Sequence, residues 1–275
     1  MDAINVMVSG LPGAMGQIIC RTLGNDPRFR LLPASLTGPG IPEGQTAVDG
    51  KSFSLVAPEN HEKAILSAKK EHGSILIVDY THPSAVNRNA ELYCRLSVPF
   101  VMGTTGGDRD ALVRIVQESG NTAVIAPNMA REIVGLTAMM KFAAASFPGL
   151  FSGYKLTVTE SHQKTKADTS GTAKELIGLF QKMGASFSPD DLHMVREEKS
   201  QREMGIPEAY LGGHGWHTYR LESQDGTVSF AFTHNVNGRN IYGPGTADAA
   251  VFLAKKLAQG VRGQAFSMVD VMSGK

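Results

Sequence analysis

The sequence predicts an α/β protein: a Rossmann-like, doubly wound parallel sheet, followed by an α+β domain with an open mixed sheet. Three observations lead to this fold class. Strands and helices alternate in the first half, a glycine-rich turn follows the first predicted strand, and the second half shows period-two alternation. The 275 residues are enough for two domains. We place the first domain at residues 1–129, completed by 241–275, and the second at 130–240.

The first half alternates short apolar runs with segments of helical periodicity. The compact β-branched run at residues 75–79 is typical of a strand buried on both faces. Such alternation predicts βαβ units and a parallel sheet. Strands are predicted at residues 4–9, 29–35, 75–79, 99–102 and 122–126, and helices at 13–23, 58–72, 83–96 and 108–119.

Period-two alternation characterises the second half. Residues 154–160, 216–221 and 227–233 are predicted strands, and a helical pattern returns at 245–259. Strands of this kind form sheets with one buried face and one open face. We expect the open face to be the floor of a substrate site.

Composition and charge exclude several classes of protein. The net charge of +1 does not favour binding to nucleic acid or to an anionic membrane. The chain start lacks the pattern of a signal peptide, and no apolar run is long enough to span a membrane. We expect a cytoplasmic protein, or a plastid stromal protein whose transit peptide has been removed. Cys20 and Cys94 lie in apolar helical segments and are expected to be buried, reduced thiols.

A G-x-x-G-x-x-G turn follows the first predicted strand and opens a helix. The first glycine permits a tight turn, the second lets backbone amides approach a pyrophosphate, and the third allows close helix–strand packing. The helix N-terminus then faces the anion. This position in a strand–turn–helix unit predicts a dinucleotide site. The expected contacts are Gly10, Pro12, Gly13, Ala14, Met15 and Gly16.

The end of the second predicted strand indicates which nicotinamide cofactor binds. NAD-specific sites usually carry an acidic residue here, and residues 32–38 contain none. Ser35 and Thr37 are predicted to donate hydrogen bonds to a 2′-phosphate. Arg28 and Arg30 precede the strand and are weaker candidates. These features favour NADPH, with NADH as a possible alternative.

Three further segments close predicted strands, and open α/β sheets bind ligands at that edge. They are residues 79–81, 103–107 and 126–129. The glycines of the second segment would let main chain approach a flat nicotinamide ring. Asp79 has the alternative role of capping the next helix. The expected cofactor contacts are Asp79, Thr81, Gly103, Thr104, Thr105, Pro127, Asn128 and Met129.

A polar loop, residues 160–173, leaves an amphipathic strand and enters a predicted helix. It contains His162, Lys166 and a Ser-Gly-Thr turn whose Ser170 and Thr172 are N-cap residue types. Thr172 and Glu175 have the spacing of a capping box. Such a turn presents free amides to an anion, and Lys166 adds a point charge. The loop therefore predicts a site for the carboxylates of a small diacid.

With these motifs, and with the segment from His234 to Arg239, the chain resembles the dihydrodipicolinate reductase family over nearly its full length. The resemblance implies NADPH- or NADH-dependent reduction of 4-hydroxy-tetrahydrodipicolinate, a cyclic dicarboxylate, to tetrahydrodipicolinate. This reaction belongs to diaminopimelate and lysine biosynthesis. The resemblance also implies that His162 is the general acid and that Lys166 is a catalytic and substrate-binding lysine. The further substrate contacts implied are Gln163, Ser170, Gly171 and Thr172.

The chain is similar to the plant-type branch of this family. Gln163 stands where many bacterial members have a second histidine, and the proline before the Ser-Gly-Thr turn is missing. Residues 106–110 and 252–256 also look plant-like. The resemblance implies a homo-oligomer, either a dimer or a tetramer.

Several polar residues of the second half have no assigned role. His214, His217 and His234 show no metal-ligand spacing with cysteines or carboxylates, so no metal site is expected. His234 and Arg239 lie near a domain boundary, where a hinge or packing role and a ligand role are both open.

Two other functions are compatible with a dinucleotide-binding fold. An aspartate-semialdehyde dehydrogenase requires a nucleophilic cysteine, but Cys20 and Cys94 have no activating base nearby in sequence. A non-catalytic NADPH-binding regulator would be expected to lack the histidine or the lysine of the polar loop. His162 and Lys166 are both present. The sequence therefore favours the reductase.

Overall fold

The computed structural model describes residues 3–275, which form two compact units. The first unit is drawn from residues up to Arg131 and from Asn240–Lys275, and the second is Glu132–Arg239. The strands are β1 (Ile4–Ser9), β2 (Phe29–Leu31), β3 (Ala34–Leu36), β4 (Gly44–Val48), β5 (Lys51–Val56), β6 (Leu76–Asp79), β7 (Phe100–Met102), β8 (Thr122–Ile125), β9 (Tyr154–His162), β10 (Leu192–Val195), β11 (His214–Ser223), β12 (Ser229–Asn237) and β13 (Gln264–Phe266). The helices are α1 (Ala14–Gly24), α2 (His61–His72), α3 (Val86–Arg95), α4 (Arg109–Glu118), α5 (Arg131–Ser146), α6 (Gly171–Lys182), α7 (Glu198–Glu203), α8 (Tyr242–Ala258) and α9 (Met268–Ser273).

The first unit is built on a six-stranded sheet in the order β13-β8-β7-β6-β1-β2, with every pairing parallel. Because side chains alternate along a strand, Met7, Ile77 and Phe100 face one side, where they pack with residues of α2, α3 and α4. Helices α1 and α8 pack together on the sheet, with α8 against β7 and β8. The Rossmann-like class predicted from the sequence is confirmed.

The segment after β1 and α1 differs from the prediction. The single strand expected at residues 29–35 is two strands: β2 belongs to the large sheet, and β3 belongs to a separate sheet of order β3-β5-β4. Pro33 lies between them and has no N–H to continue a ladder. The β4–β5 hairpin was not predicted, although its turn residues Asp49 and Gly50, both with positive φ, are a typical hairpin signal. Strand β13 and helix α9 were also missed.

The second unit contains a four-stranded mixed sheet of order β10-β9-β11-β12, which confirms the predicted α+β class. Strand β10 is parallel to β9, and the other two pairings are antiparallel. One face of the sheet is apolar: Leu156, Val158 and Tyr219 form a core with residues of α5 and α6, including Phe180. Helices α5 and α6 cover this face, and the candidate site lies on the same face.

The two cysteines are buried and form no disulfide, as predicted. Among the residues that the structure describes, no helix combines the length and apolar character required to cross a membrane.

Candidate active site

The glycine turn of the first unit brings β1 and α1 very close together. A Cβ on Gly10, where φ is +117°, would lie 2.3 Å from the carbonyl oxygen of Tyr80. A Cβ on Gly16 would lie 2.8 Å from the backbone of Gly10, so α1 can begin here only with glycine at this position. No side chain caps α1, and its first turn holds no acidic residue. The positive end of the helix is therefore suited to an anion.

The Asp79 side chain organises the strand-end segments of the first unit. Its buried carboxylate accepts hydrogen bonds from Thr81, Thr104, Asn89 and Tyr93, at 2.7 to 2.9 Å. The Asp79 side chain does not cap a helix, since His82 is the next N-cap, and contact of this residue with the cofactor stays a prediction. It joins two strand-end segments and fixes the orientation of Thr81 and Thr104.

The hydroxyls of Ser35 and Thr37 are also buried and used internally. Ser35 Oγ accepts a hydrogen bond from the backbone N–H of Leu11 at 3.2 Å. Thr37 Oγ1 donates to the carbonyl oxygens of Val56 and Ile41, at 3.0 and 3.3 Å. Both hydroxyls therefore serve the loops around the strand end, and their contact with a 2′-phosphate stays a prediction.

The other strand-end residues divide into packing residues and accessible ones. A Cβ on Gly103 would lie 2.3 Å from the Tyr80 ring, so this glycine makes room for an aromatic side chain. The Met129 side chain is buried, and contact of this residue with the cofactor stays a prediction. Asn128 Oδ1 accepts a hydrogen bond from a backbone N–H two residues later, at 2.9 Å. Thr105 is exposed, as expected for a contact residue.

In the second unit, a polar cluster continues the apolar row of β9. Side chains alternate, so Glu160 and His162 lie on the same face as Leu156, which helices α5 and α6 cover. His217 on β11 is in register with Glu160 and with His234 on β12. We call Glu160, His162, His217 and His234 the polar cluster. It lies on the helix-covered face of the sheet, and the open face as a substrate floor stays a prediction that nothing in the cluster supports.

Glu160 is buried, and both oxygens of its carboxylate have hydrogen-bond donors. Its carboxylate accepts hydrogen bonds from the Arg196 guanidinium and from the backbone N–H of Ser170. Burial alone would raise the pKa of Glu160, but hydrogen bonds from His217, Arg196 and Ser170 outweigh it and lower the pKa to about 2. Arg196 also donates to the main-chain carbonyl of Lys166, at 2.7 Å, and so shapes the polar loop.

The His162 ring is held on several sides. Its Nδ1 lies 2.9 Å from the carbonyl oxygen of His214, which makes Nδ1 the protonated nitrogen. Its Nε2 lies 3.3 Å from Nε2 of His217. A Cβ on Gly215 would lie 3.0 Å from Cε1 of His162, so the ring occupies space that glycine leaves. Gln201 donates to the main-chain carbonyl of His162 at 2.8 Å.

The pKa of His162 is lowered to about 4. Burial is the main cause, and the neighbouring His217 is the second. The ring is therefore neutral near neutral pH.

Helix α6 begins at Gly171, two residues earlier than the predicted capping box requires. Ser170 is the N-cap, and its Oγ accepts a hydrogen bond from the backbone N–H of Ala173 at 3.0 Å. The Thr172–Glu175 capping box is therefore wrong. The Glu175 carboxylate instead lies 2.7 Å from the ammonium of Lys141.

Lys166 is paired within the polar loop. Its ammonium lies 2.9 Å from the carboxylate of Asp168, which is exposed to solvent. Gln163 is half-buried on the preceding turn. A substrate carboxylate at Lys166 would therefore have to compete with Asp168.

The polar cluster includes atoms close enough to hold a metal ion, which the sequence spacing did not indicate. One potential ligand atom each from Glu160, His162 and His217 lies within 4.8 Å of the others. Of these three residues, only His217 is among the histidines whose spacing was considered in the sequence. However, Arg196 hydrogen bonds to the same carboxylate, and its positive charge opposes a cation. The absence of a metal site stays a prediction.

Sequence reasoning missed Glu160, Arg196, Gln201 and His217 as members of this site. A signal existed for two of them, because Glu160 and His217 lie at apolar positions of alternating strands. A polar residue at such a position must find a partner. Arg196 and Gln201 carry no comparable signal, since they follow β10 and reach the site only through the fold.

Comparisons with known proteins agree with this architecture. Two family models match, described as dihydrodipicolinate reductase, N-terminus, at residues 4–129, and C-terminus, at 133–272. The chain is 44% identical to the 4-hydroxy-tetrahydrodipicolinate reductase 1, chloroplastic, of Arabidopsis thaliana, over 98% of the chain and 78% of that protein. It is 28% identical to the 4-hydroxy-tetrahydrodipicolinate reductase of Thiobacillus denitrificans, over 99% of the chain and 100% of that protein.

Two solved structures share the fold. A dipicolinate-bound dihydrodipicolinate reductase from Paenisporosarcina sp. TG-14 aligns with a TM-score of 0.66 and 19% identity, over 96% of this chain and 97% of that one. The aspartate semialdehyde dehydrogenase II of Vibrio cholerae aligns with a TM-score of 0.53 and 10% identity, over 94% and 99%. The second likeness shows that the fold alone does not separate these activities. The family models cover both halves of the chain, and the chain therefore belongs to the dihydrodipicolinate reductase family.

Proposed function

We propose that this protein reduces 4-hydroxy-tetrahydrodipicolinate to tetrahydrodipicolinate with a reduced nicotinamide cofactor, in diaminopimelate and lysine biosynthesis. The observation that carries the proposal is the family membership of both halves, combined with an intact set of His162, Lys166 and Ser170 in the second unit. The net reaction consumes a hydride and a proton and releases water.

The first unit has features that suit a dinucleotide. The uncapped start of α1, without an acidic side chain, would hold the pyrophosphate through backbone N–H groups. Thr81 and Thr104, oriented by Asp79, belong to the strand ends where such folds bind ligands. When bound, the reduced nicotinamide supplies the hydride for the substrate's conjugated imine system.

His162 is the proposed general acid. Its Nδ1–H is held by the His214 carbonyl, so Nε2 is the atom that takes up and delivers the proton. In the free protein the low pKa of His162, caused mainly by burial, leaves Nε2 unprotonated. A dicarboxylate bound nearby would favour the protonated ring, because an opposite charge within about 4–6 Å stabilises the imidazolium.

Lys166 and the turn Ser170, Gly171 and Thr172 are the proposed carboxylate site. Ser170 caps α6, and backbone N–H groups at the first turn of a helix attract anions. Lys166 would exchange its pairing with the exposed Asp168 for a substrate carboxylate. Holding both carboxylates fixes the reacting carbon, and this positioning accounts for much of the rate gain in such enzymes.

NADPH is the proposed cofactor in preference to NADH. The absence of a carboxylate at residues 32–38 supports this preference. A cavity of about 390 Å³, with Thr37 in its lining, supports it as well. Arg88 and Arg95 line the cavity, together with three glutamates. Arg95 is paired with Glu62 at 2.9 Å, whereas Arg88 has no carboxylate partner within residues 3–275. Arg88 is therefore a further candidate contact for a 2′-phosphate, beside Ser35 and Thr37.

The cellular location and the oligomeric state of the protein are also proposals. The plant relatives are named as chloroplastic proteins, which supports a plastid location for this protein, with the cytoplasm as the alternative. We also propose a homo-oligomer, a dimer or a tetramer.

The function is tested by following NADPH oxidation with substrate made in situ by the preceding synthase of the pathway. Activity is expected with the wild type and with Lys164→Ala, a control that removes an exposed lysine of the same loop. The Lys166→Ala variant should lose most of this NADPH-oxidation activity. Absence of NADPH oxidation by a folded wild-type protein would refute the proposed reaction.

A further inference from the structure

We propose that His217 is a positioning residue that holds Nε2 of His162 as a hydrogen-bond acceptor until the substrate replaces the contact. The inference rests on the proposed function of His162. It assigns a role to a side chain that neither the sequence motifs nor the substrate site uses. His217 lies on β11, the strand next to β9.

The Nε2 atom of His217 lies between three polar groups. It is 2.9 Å from Ser170 Oγ, 3.3 Å from Nε2 of His162 and 3.7 Å from the carboxylate of Glu160. Its Nδ1 is buried and has no hydrogen-bond partner among the described residues. The hydrogen-bonding and ion-pair partners of this ring are therefore all on the Nε2 side.

This asymmetry decides which nitrogen of neutral His217 carries the proton. A proton on Nδ1 would leave a buried N–H without an acceptor, which is rarer and more costly than an unpaired acceptor. It would also place the lone pair of His217 Nε2 against that of His162 Nε2. The Nε2–H form avoids both costs. The N–H of His217 therefore points toward His162 and Ser170.

The contact has a direct effect on His162. Because the Nδ1–H of His162 is used by the His214 carbonyl, its Nε2 has a lone pair that the N–H of His217 can meet. A hydrogen bond to the neutral form of a group opposes its protonation. His217 thus keeps His162 unprotonated in the free protein and in the single tautomer that the reaction requires.

The same N–H can shift to Ser170, the N-cap residue of the proposed carboxylate turn. A substrate that occupies this turn and contacts His162 Nε2 would displace His217 from His162. His217 would then donate to Ser170 or Glu160, and His162 would be free to take up a proton. Substrate binding and protonation of His162 are coupled by this exchange of one hydrogen bond.

The remaining charged and titratable groups around His162 act on it from fixed positions. Glu160 on β9 favours the protonated ring, and Arg196 after β10 opposes it. His234 on β12 stacks on the opposite side of His217, with ring centroids 4.6 Å apart. Of these groups, His217 alone faces the Nε2 atom of His162 within hydrogen-bond distance in the described part of the chain.

The test compares two substitutions of His217 by NMR of the intact protein. His217→Phe retains a ring beside His234 but removes the N–H donor. His217→Gln retains an N–H donor. Nitrogen shifts of the His162 imidazole report its tautomer, and a pH titration reports its pKa, both without turnover. His193→Gln is the control, because it replaces an exposed histidine on β10 outside the polar cluster and leaves the contact between His217 and His162.

We expect the pKa of His162 to rise by about one unit or more in His217→Phe, with partial loss of the single tautomer. It should stay near the wild-type value in His217→Gln and in the control. Equal behaviour of the Phe and Gln variants, or no change in either, would overturn the proposal. These results do not depend on activity. If His162→Gln kept normal turnover, the proposed general acid would fail, while the NMR result would still decide the role of His217.

Discussion

The polar cluster predicts that mild acid destabilises the second unit. Burial is the main cause that lowers the pKa of both His162 and His234 to about 4. In the unfolded chain a histidine titrates near about 6.5. Between these two values the unfolded state binds more protons than the folded state. Stability therefore falls as the pH decreases from about 7 toward 4.

The magnitude follows from the two shifts. At about pH 5, each histidine with a folded pKa near 4 would cost about 2 kcal/mol relative to neutral pH. Both rings are half-buried and repel each other, so solvent screening and coupling reduce the sum for the pair from about 4 to about 2 kcal/mol. Glu160, with its pKa lowered to about 2, does not enter this comparison. Its contribution to the free energy of unfolding is lost only when the pH falls below the pKa that a glutamate has in the unfolded chain.

Urea unfolding at about pH 7.5 and about pH 5 measures this difference. Trp216 on β11 is the only tryptophan, so its fluorescence reports the second unit. His162→Gln and His234→Phe should each remove about half of the pH-dependent loss. The control, His193→Gln, replaces an exposed histidine on β10 of the same sheet. If the double variant retained the full loss of stability, the assignment to the polar cluster would be refuted.

Three further predictions concern catalysis and cofactor choice. His162→Gln should lower kcat about 10²–10⁴-fold with little change in KM, whereas Lys166→Ala should damage both parameters, and neither should alter NADPH affinity in a direct titration. Arg88→Ala should reduce the ratio of kcat/KM for NADPH to that for NADH, and an unchanged ratio in steady-state kinetics would exclude this arginine as a 2′-phosphate contact. Gly215→Ala places a methyl group 3.0 Å from the His162 ring and should lower kcat about 10-fold, with unchanged NADPH affinity. A kcat equal to that of the wild type would show that the position of the ring is not critical for turnover.

Much of the fold could be predicted because each element has a local signature. The alternation of strands and helices in the first half, and the period-two strands at residues 154–160 and 216–221, depend on side chains close in sequence. The division of residues 29–35 between two sheets could not be seen in this way, since it depends on which neighbouring strand each half meets. Local pattern identifies a strand, whereas its sheet is decided by distant partners.

The candidate site shows the same division. The residue types of the polar loop, with His162, Lys166 and Ser170, could be read as an acid and a carboxylate site because they lie within nine consecutive positions. Ser35, Thr37 and Asp79 were assigned to the cofactor from their positions at strand ends. Their burial and their internal hydrogen bonds could not be predicted in this way, because both are properties of the packed chain.

By itself, the sequence determined the fold class, the glycine turn before α1 and the chemical groups of the polar loop. The tertiary structure decided which groups meet. The register of β9, β11 and β12 aligns Glu160, His217 and His234. The first two of these residues lie more than fifty positions apart along the chain. The covered face then lowers the pKa of His162, chiefly through burial. Desolvation and cross-strand contacts arise only when distant segments pack together, so no local pattern in the sequence encodes them.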